Sequence, residues 1–193
     1  MKVLVAELRA SIAATLLLAI LCGGIYPAVV WAVGQGFFPD KANGSLVRSE
    51  GKVVGSALIA QGFSGPAYFH PRPSAAGQGY DAVHSGGTNL GPTSKKLIGD
   101  VERRIAAYRA ENGLPPDTAV PADAVTSSAS GLDPHISVRN ALLQAARIAK
   151  ARGIAENDLL AKVGAHTEGR SFGFLGEPRV NVLTLNLALD GKL

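Results

Sequence analysis

The hydrophobic residues of this chain are concentrated in one uninterrupted segment near the N-terminus. No charged residue occurs between Arg9 and Asp40, and residues 10–33 are apolar almost throughout. A helix needs roughly 20 apolar residues to cross the hydrocarbon core of a bilayer, and Trp31 lies where interfacial aromatic residues are common. The pattern predicts one transmembrane helix over residues 10–33, preceded by a short cytoplasmic N-terminus at 1–9.

A cleaved signal peptide and a lipoprotein signal both fit this apolar segment less well than a membrane span does. A signal peptide has an apolar core of roughly 7 to 15 residues, which is shorter than this one, and Val30-Trp31-Ala32 is a poor cleavage site. A lipoprotein signal would use Cys22, but the residue before it is the large Leu21. We therefore expect the helix to be retained as a membrane anchor.

The predicted span has small residues at four-residue steps and no ionisable side chain. Gly24, Ala28 and Ala32 would form one face that lets a second helix approach closely. Ion pathways through membranes are normally marked by ionisable groups or by discontinuous helices. The helix is therefore predicted to dock on a partner helix rather than to conduct an ion, and Pro27 should bend it or loosen a hydrogen bond nearby.

After the span, the periodicity of apolar residues predicts one mixed α+β domain over residues 34–193. Two strands, 46–48 and 53–59, flank a tight turn at 49–52. Four helical segments are expected, one capped by Thr93 or Ser94 and ending before Gly113, and the others at 121–125, 137–152 and 158–163. The tail, 178–189, alternates leucines as a strand does, but Pro178 and Gly191 favour a helix.

A long loop rich in glycine and proline, residues 63–92, follows the predicted hairpin. Tyr68, Phe69 and Tyr80 are interleaved in it. A loop of this length is uncommon unless it is functional or docked on something. We expect it to lie on the surface of another protein.

Charge and cysteine content exclude several classes of function. The chain has 19 basic and 15 acidic residues, a net charge of +4, which is too mild for a nucleic-acid-binding protein. Its one cysteine lies in the predicted span, so neither a disulfide nor a cysteine-based zinc site can form. Lys2 and Arg9 slightly favour a cytoplasmic N-terminus, so the domain is expected outside the cytoplasm.

Three short motifs could carry chemistry. Ser85, Gly86 and Gly87 begin a glycine-rich stretch that could present backbone N–H groups to a phosphate, but residues 86–93 contain no lysine. His135 with Asp133, or His166 with Glu168, could supply zinc ligands or a general base. A structured turn and a helix entry are the simpler interpretations. The alternatives are therefore a non-catalytic membrane protein and a membrane-anchored histidine-metal hydrolase.

Two neighbouring pairs of opposite charge follow the second histidine motif. Glu168 stands two residues before Arg170, and Glu177 stands two residues before Arg179. We expect each pair to form an ion pair that orders a loop or meets a partner.

Several sequence blocks together resemble one family. They are GSALIAQ at 55–61, YFHPRPS at 68–74, SGGTNLGP at 85–92, SGLDPHIS at 130–137, HTEGR at 166–170 and LGEPRVN at 175–181. With Tyr26-Pro27 in the span, they resemble the KdpC family, the C subunit of the bacterial Kdp potassium-transporting P-type ATPase. The resemblance runs nearly the full length of the chain. Ser128-Ala129-Ser130 departs from it where another glycine is expected.

The resemblance implies a non-catalytic subunit of the bacterial inner membrane, with no catalytic residue, metal ligand or cofactor of its own. Its partners would be a channel-like subunit that selects potassium and a P-type subunit that hydrolyses ATP, so that ATP and K⁺ are handled by the complex. The family is also proposed to raise the ATP affinity of the hydrolysing subunit, with Ser85, Gly86 and Gly87 likened to the signature of ABC-type ATPases. A domain outside the cytoplasm could affect ATP binding only through the membrane subunits.

Overall fold

The computed structural model describes residues 2–192 and contains two compact units, Met1–Ser45 and Leu46–Leu193. The first is built around a long apolar helix, and the second combines helices with two small sheets. This confirms the predicted fold class, an N-terminal apolar helix followed by an α+β domain.

The N-terminal helix is continuous from Lys2 to Phe37 and is longer than predicted at both ends. It consists of α1 (Lys2–Ile20), a π-helical turn (Leu21–Ile25) and α2 (Tyr26–Phe37); a short helix α3 (Pro39–Ala42) follows. Its most apolar window has a mean hydropathy of 2.2, and none of that window is buried. The helix is thus long and apolar enough to cross a membrane.

The π-helical turn ends two residues before Pro27, near which a loosened hydrogen bond was expected. Because proline has no N–H, the carbonyl four residues earlier loses its usual helical donor. The N–H of Tyr26 donates to the carbonyl of Leu21, five residues back, instead of four. Such π turns are a recognised way for a helix to absorb a local irregularity.

The second unit begins with the predicted hairpin. Strands β1 (Leu46–Ser49) and β2 (Lys52–Ser56) pair antiparallel, and β2 ends three residues before the predicted limit of 59. Glu50 and Gly51 have φ values of 52° and 77°, as a two-residue hairpin turn of type I′ requires. A Cβ at Gly55 would lie 2.9 Å from Leu183 Cδ2, so the hairpin packs closely on the C-terminal helix.

A second, three-stranded antiparallel sheet lies in the C-terminal half of this unit. Its strands are β3 (His135–Ser137), β4 (Thr167–Glu168) and β5 (Arg179–Asn181), in the order β3-β5-β4. In the register, Ile136 and Thr167 are both opposite Val180. This order brings residues that are more than 30 positions apart in sequence onto one small sheet.

The remaining helices lie close to their predicted positions. They are α4 (Lys95–Glu111), α5 (Ala122–Val125), α6 (Val138–Arg152), α7 (Glu156–Ala165) and α8 (Val182–Leu189). Ser94 and Ser137 cap α4 and α6 by accepting hydrogen bonds from Leu97 and Asn140. The ambiguous tail divides in two, because β5 takes its first residues and helix α8 the rest.

The core of the second unit lies between α6, α7, α8 and the three-stranded sheet. On α6 the buried face is formed largely by small residues, Ala141, Ala145 and Ala149, which let α7 approach closely. The cluster consists of Phe69, Ile136, Ala141, Ala145, Ile148, Ala149, Leu159, Val163, Val180, Val182 and Leu185.

The expectation that the whole loop 63–92 lies on another protein is wrong for its first part. Phe69 is fully buried in the chain's own core. The side-chain amide of Asn186 accepts from the N–H of Phe69 and donates to its carbonyl, both at 2.9 Å. Gln144 does the same for His70, at 2.7 and 3.2 Å. Two buried side-chain amides therefore make the backbone hydrogen bonds that a neighbouring strand would otherwise make with this extended segment.

Two arginines of α6 complete the anchoring of this loop. Arg147 donates to the carbonyl of Pro66 at 2.6 Å and to that of Tyr68 at 3.1 Å. Arg152 donates to the carbonyl of Ala67 at 2.6 Å and lies 4.9 Å from the centre of the Tyr68 ring. Because backbone carbonyls that are removed from water need donors, these arginines bind the loop to the domain itself.

Candidate functional site

The Ser-Gly-Gly stretch forms a turn that is braced by a neighbouring loop. The N–H of Gly86 donates to the carbonyl of Ser130 at 2.9 Å, and the hydroxyl of Ser85 donates to the same oxygen at 3.0 Å. A Cβ at Gly87 would lie 2.9 Å from the carbonyl oxygen of Ala129. The glycines thus permit two loops to touch.

A phosphate-binding loop needs free N–H groups and a helix that starts directly after it. Here the Gly86 N–H is already bonded, and the next helix does not begin until Lys95. The geometry of Ser85, Gly86 and Gly87 favours a structural turn over a nucleotide site.

The conformation of the neighbouring loop, which precedes β3 and braces the Ser-Gly-Gly turn, depends on Gly131. This residue has a φ of 67°, and a Cβ there would lie 2.7 Å from both the N of Ala76 and the carbonyl oxygen of Gly86. Its own carbonyl accepts from the Ser74 hydroxyl at 2.7 Å. Gly131 is therefore the point at which the loop 63–92 is joined to the loop before β3.

The densest polar chemistry is a row of five side chains centred on His135 of the three-stranded sheet, with a carboxylate and then an arginine on each side; we call it the charge row. His135 on β3 has its Nδ1 3.6 Å from Asp133 Oδ1 and its Nε2 3.6 Å from Glu168 Oε2. Each carboxylate is paired again, Asp133 with Arg72 at 2.8 Å and Glu168 with Arg179 at 3.0 Å. The expected approach of His135 to Asp133 is present.

The histidine of the other motif lies outside this row. The Nδ1 of His166 is 2.9 Å from the carbonyl oxygen of Lys162, at the C-terminal end of α7. Its expected partner Glu168 faces His135 and Arg179 instead. His166 therefore acts locally at a helix end, where carbonyls lack intrahelical donors.

The expected ion pairs form with exchanged partners. Arg170 pairs with Glu177, its Nη2 lying 2.9 and 2.8 Å from the two carboxylate oxygens. Arg179 pairs with Glu168 rather than with Glu177. The expected pairings failed because β4 and β5 are antiparallel, so Glu168 is directly opposite Arg179.

A cleft of about 510 Å³ lies beside the charge row. Arg72 and Arg179, which line it, each have a buried Nε with no hydrogen-bond partner in residues 2–192, and sequence reasoning had missed Arg72. The same described residues contain no group of three or more His, Cys, Asp or Glu side chains placed to bind a metal ion. With its charges mutually paired, the row has the character of a structural network.

The charge row changes the titration of Asp133. Burial alone would raise the pKa of Asp133, but the imidazole and N–H of His135 and the guanidinium of Arg72 stabilise its charged form. Together they lower the pKa of Asp133 from 3.8 to about 2. A carboxyl with a lowered pKa in the folded state stabilises the fold above its unfolded pKa.

We expect Asp133→Asn to remove this pH-dependent stabilisation. The wild type should be more stable than the variant by about 1 to 2 kcal/mol above pH ~4, after allowance for solvent screening. This advantage should shrink as the pH falls from about 4 and disappear below about 2, where the carboxyl is protonated in both the folded and the unfolded state. Urea unfolding across this pH range measures the difference. The exposed Asp117, changed to Asn, is the matched control, and an equal effect of both changes would contradict the role of the row.

The small-residue face of the N-terminal helix is open in the described part of the chain. A Cβ at Gly24 would have no atom within 4 Å, and Ala28 and Ala32 are exposed. The face has room for a partner helix.

Comparison with known proteins decides the family. A family model described as KdpC, K⁺-transporting ATPase, c chain, matches residues 8–191. The chain belongs to the KdpC family. The match includes the apolar helix, the Ser-Gly-Gly turn and the charge row, so these are parts of one KdpC-type chain.

Relatives from distant bacteria agree with this KdpC assignment, and each is named as a potassium-transporting ATPase KdpC subunit. That of Koribacter versatilis is 53% identical over 186 residues, which is 96% of this chain and 94% of the relative. That of Mycobacterium tuberculosis is 54% identical over 184 residues, covering 95% and 97%. That of Caulobacter vibrioides is 52% identical over 190 residues, covering 98% and 95%. With the apolar helix, membership of this transporter family indicates membrane association.

Proposed function

We propose that the chain is a non-catalytic subunit of an ATP-driven potassium uptake complex in the bacterial inner membrane. Its partners are then a channel-like subunit that selects potassium and a P-type subunit that hydrolyses ATP, with lipid around its helix. The observation that carries the proposal is the family match over residues 8–191, which includes the uncharged apolar segment 10–39. A single helix whose predicted span, residues 10–33, has no charged residue supplies no ion pathway of its own.

The same proposal assigns the domain two roles in the complex, assembly and an increase in the ATP affinity of the hydrolysing subunit. Both roles are exerted through protein contacts. The bonded N–H of Gly86 and the paired charges around His135 support this, because neither group is free to take a nucleotide. ATP and K⁺ are then ligands of the partner subunits, and this chain needs no cofactor.

Calorimetric titration of the purified full-length chain with ATP tests this indirect role. We expect no saturable binding at about 1 mM ATP, because the Ser-Gly-Gly turn has no lysine and no helix that starts directly after it. Saturable binding that is lost in Gly86→Val would overturn the proposal. That variant is suitable because a Cβ at Gly86 meets no atom within 4 Å.

The proposal places the N-terminus in the cytoplasm and the α+β domain outside it. The support is the slight excess of positive charge before the apolar segment. A reporter that is active only outside the cytoplasm, fused after the last residue, should be active. A stably inserted fusion with a silent reporter would reverse this orientation.

The small-residue face of the helix should be needed for assembly. Gly24→Leu fills the space that a partner helix would occupy, so we expect it to reduce recovery of the partner subunits by about tenfold without stopping membrane insertion. Gly23→Leu is the matched control, because Gly23 is also open but lies on a different side of the helix. Equal recovery with both variants would exclude this face as a docking site.

A further inference from the structure

Three large apolar side chains project into solvent from one short loop between β4 and β5. Phe172 is 88% exposed, Phe174 69% and Leu175 50%. They belong to residues 170–177, which we call the aromatic finger. Isolated apolar side chains on a surface need no explanation, but three that are exposed within four residues form a group of the kind that marks an interaction site.

The finger is held in one shape by several bonds. Ser171 and Leu175 exchange two backbone hydrogen bonds, each of 2.9 Å, and the N–H of Gly173 donates to the carbonyl of Arg170 at 3.1 Å. The ion pair between Arg170 and Glu177 closes its base. A loop that is already ordered loses less conformational entropy when it binds.

The backbone conformation at the tip of the finger indicates that its shape serves a function. Phe172 has a φ of 54°, in the left-handed region that bulky residues rarely adopt. Backbone strain of this kind persists only where the surrounding bonds impose it, and it is concentrated at functional sites. Here its result is that an aromatic ring is presented to solvent rather than to the core.

The chemistry of the finger favours a protein over a lipid surface. Segments that bind at the membrane interface combine apolar residues, Phe and Leu included, with Lys or Arg that attract anionic lipids, but residues 169–177 contain no Lys. Their one cation, Arg170, is neutralised by Glu177. Exposed aromatic residues on a rigid support are instead typical of the anchors at the centre of protein interfaces.

We propose that the aromatic finger inserts Phe172 and Phe174 into an apolar pocket on another protein subunit of the same complex. This inference rests on the proposed function, which supplies the complex. The two rings lie outside the core cluster of the domain. They are therefore free to bind without disturbing the fold.

Site-specific photo-crosslinking in the assembled complex tests the inference. A benzophenone amino acid at position 172 of the full-length chain should crosslink to a partner subunit. The control is the same group at position 98, because Ile98 is 49% exposed on α4, outside the loop 63–92 that is itself expected to meet a partner. Crosslinking of position 172 to lipid alone, or equal crosslinking at both positions, would overturn the proposal.

Mutation gives an independent measure. Phe172→Ala combined with Phe174→Ala should reduce recovery of the partner subunits about tenfold, with an unchanged unfolding midpoint, and Ile98→Ala on α4 should leave recovery unchanged. Normal recovery with the double variant would exclude the finger while leaving the proposed function intact. If the wild-type chain also failed to recover the subunits, the proposed function would fail, and this inference with it.

Discussion

Phe69→Ala is expected to destabilise the domain by about 3 to 5 kcal/mol. The ring is fully buried in the core cluster that also contains Ile136 and Leu185. Its removal costs the transfer free energy of the ring and leaves a cavity. The surroundings cannot collapse freely to fill it, because Asn186 holds the backbone at this residue from both sides. Urea unfolding of the full-length chain in detergent measures the loss.

Phe172→Ala is the matched control, because it removes the same atoms from a ring that is 88% exposed. Its effect should stay within about 0.5 kcal/mol. Similar losses for the two variants would mean that the first part of the loop 63–92 does not belong to the core.

The second large effect is expected for Gly131→Ala, at about 3 kcal/mol. A Cβ at this position would lie 2.7 Å from both the N of Ala76 and the carbonyl oxygen of Gly86, and the backbone has a φ of 67°. The left-handed conformation costs roughly 1 kcal/mol for alanine, and overpacking adds about 1 to 3 kcal/mol. The Ser-Gly-Gly turn should also become accessible to protease, since its bonds to Ser130 depend on this approach.

Gly153→Ala separates the two causes. Gly153 has the same φ of 67°, but a Cβ there would meet no atom within 4 Å. The Gly153→Ala change should therefore lower the free energy of unfolding by only about 1 kcal/mol, which is the cost of the left-handed conformation alone. An equal loss of stability in both variants would show that loop contact at Gly131 contributes nothing.

Local signals explain why much of the architecture could be predicted from sequence. Ser94 and Ser137 cap helices where polar residues precede apolar periodicity, and Gly113 and Gly153 follow the ends of those helices. The residues that carry such signals are within four positions of the groups they act on. Hydropathy likewise predicted the long helix, although α1 begins well before residue 10.

The arrangement around the loop 63–92 could not be predicted, because its contacts are distant in sequence. Asn186 bonds to Phe69 across 117 positions, and Arg147 bonds to Tyr68 across 79. An aromatic residue among glycines and prolines gives no period that distinguishes a core position from an interface. The loop was therefore assigned to another protein although its first part packs on this one.

The candidate site was predicted only in part, for a similar reason. Asp133 and His135 are neighbours in sequence, so their contact was expected. Glu168 reaches His135 only because β5 lies between β3 and β4, and no sequence spacing encodes that order. Arg72 was missed because it lies in a loop and meets Asp133 across 61 positions.

Potassium-stimulated ATP hydrolysis, measured with and without this chain, tests the central claim most directly. The partner subunits would be reconstituted in lipid vesicles, and the rate followed as K⁺ is added. The account predicts no hydrolysis by the chain alone, loss of the potassium-stimulated rate when the chain is omitted, and recovery when it is restored. A potassium-stimulated rate that is the same with and without the chain would contradict the account.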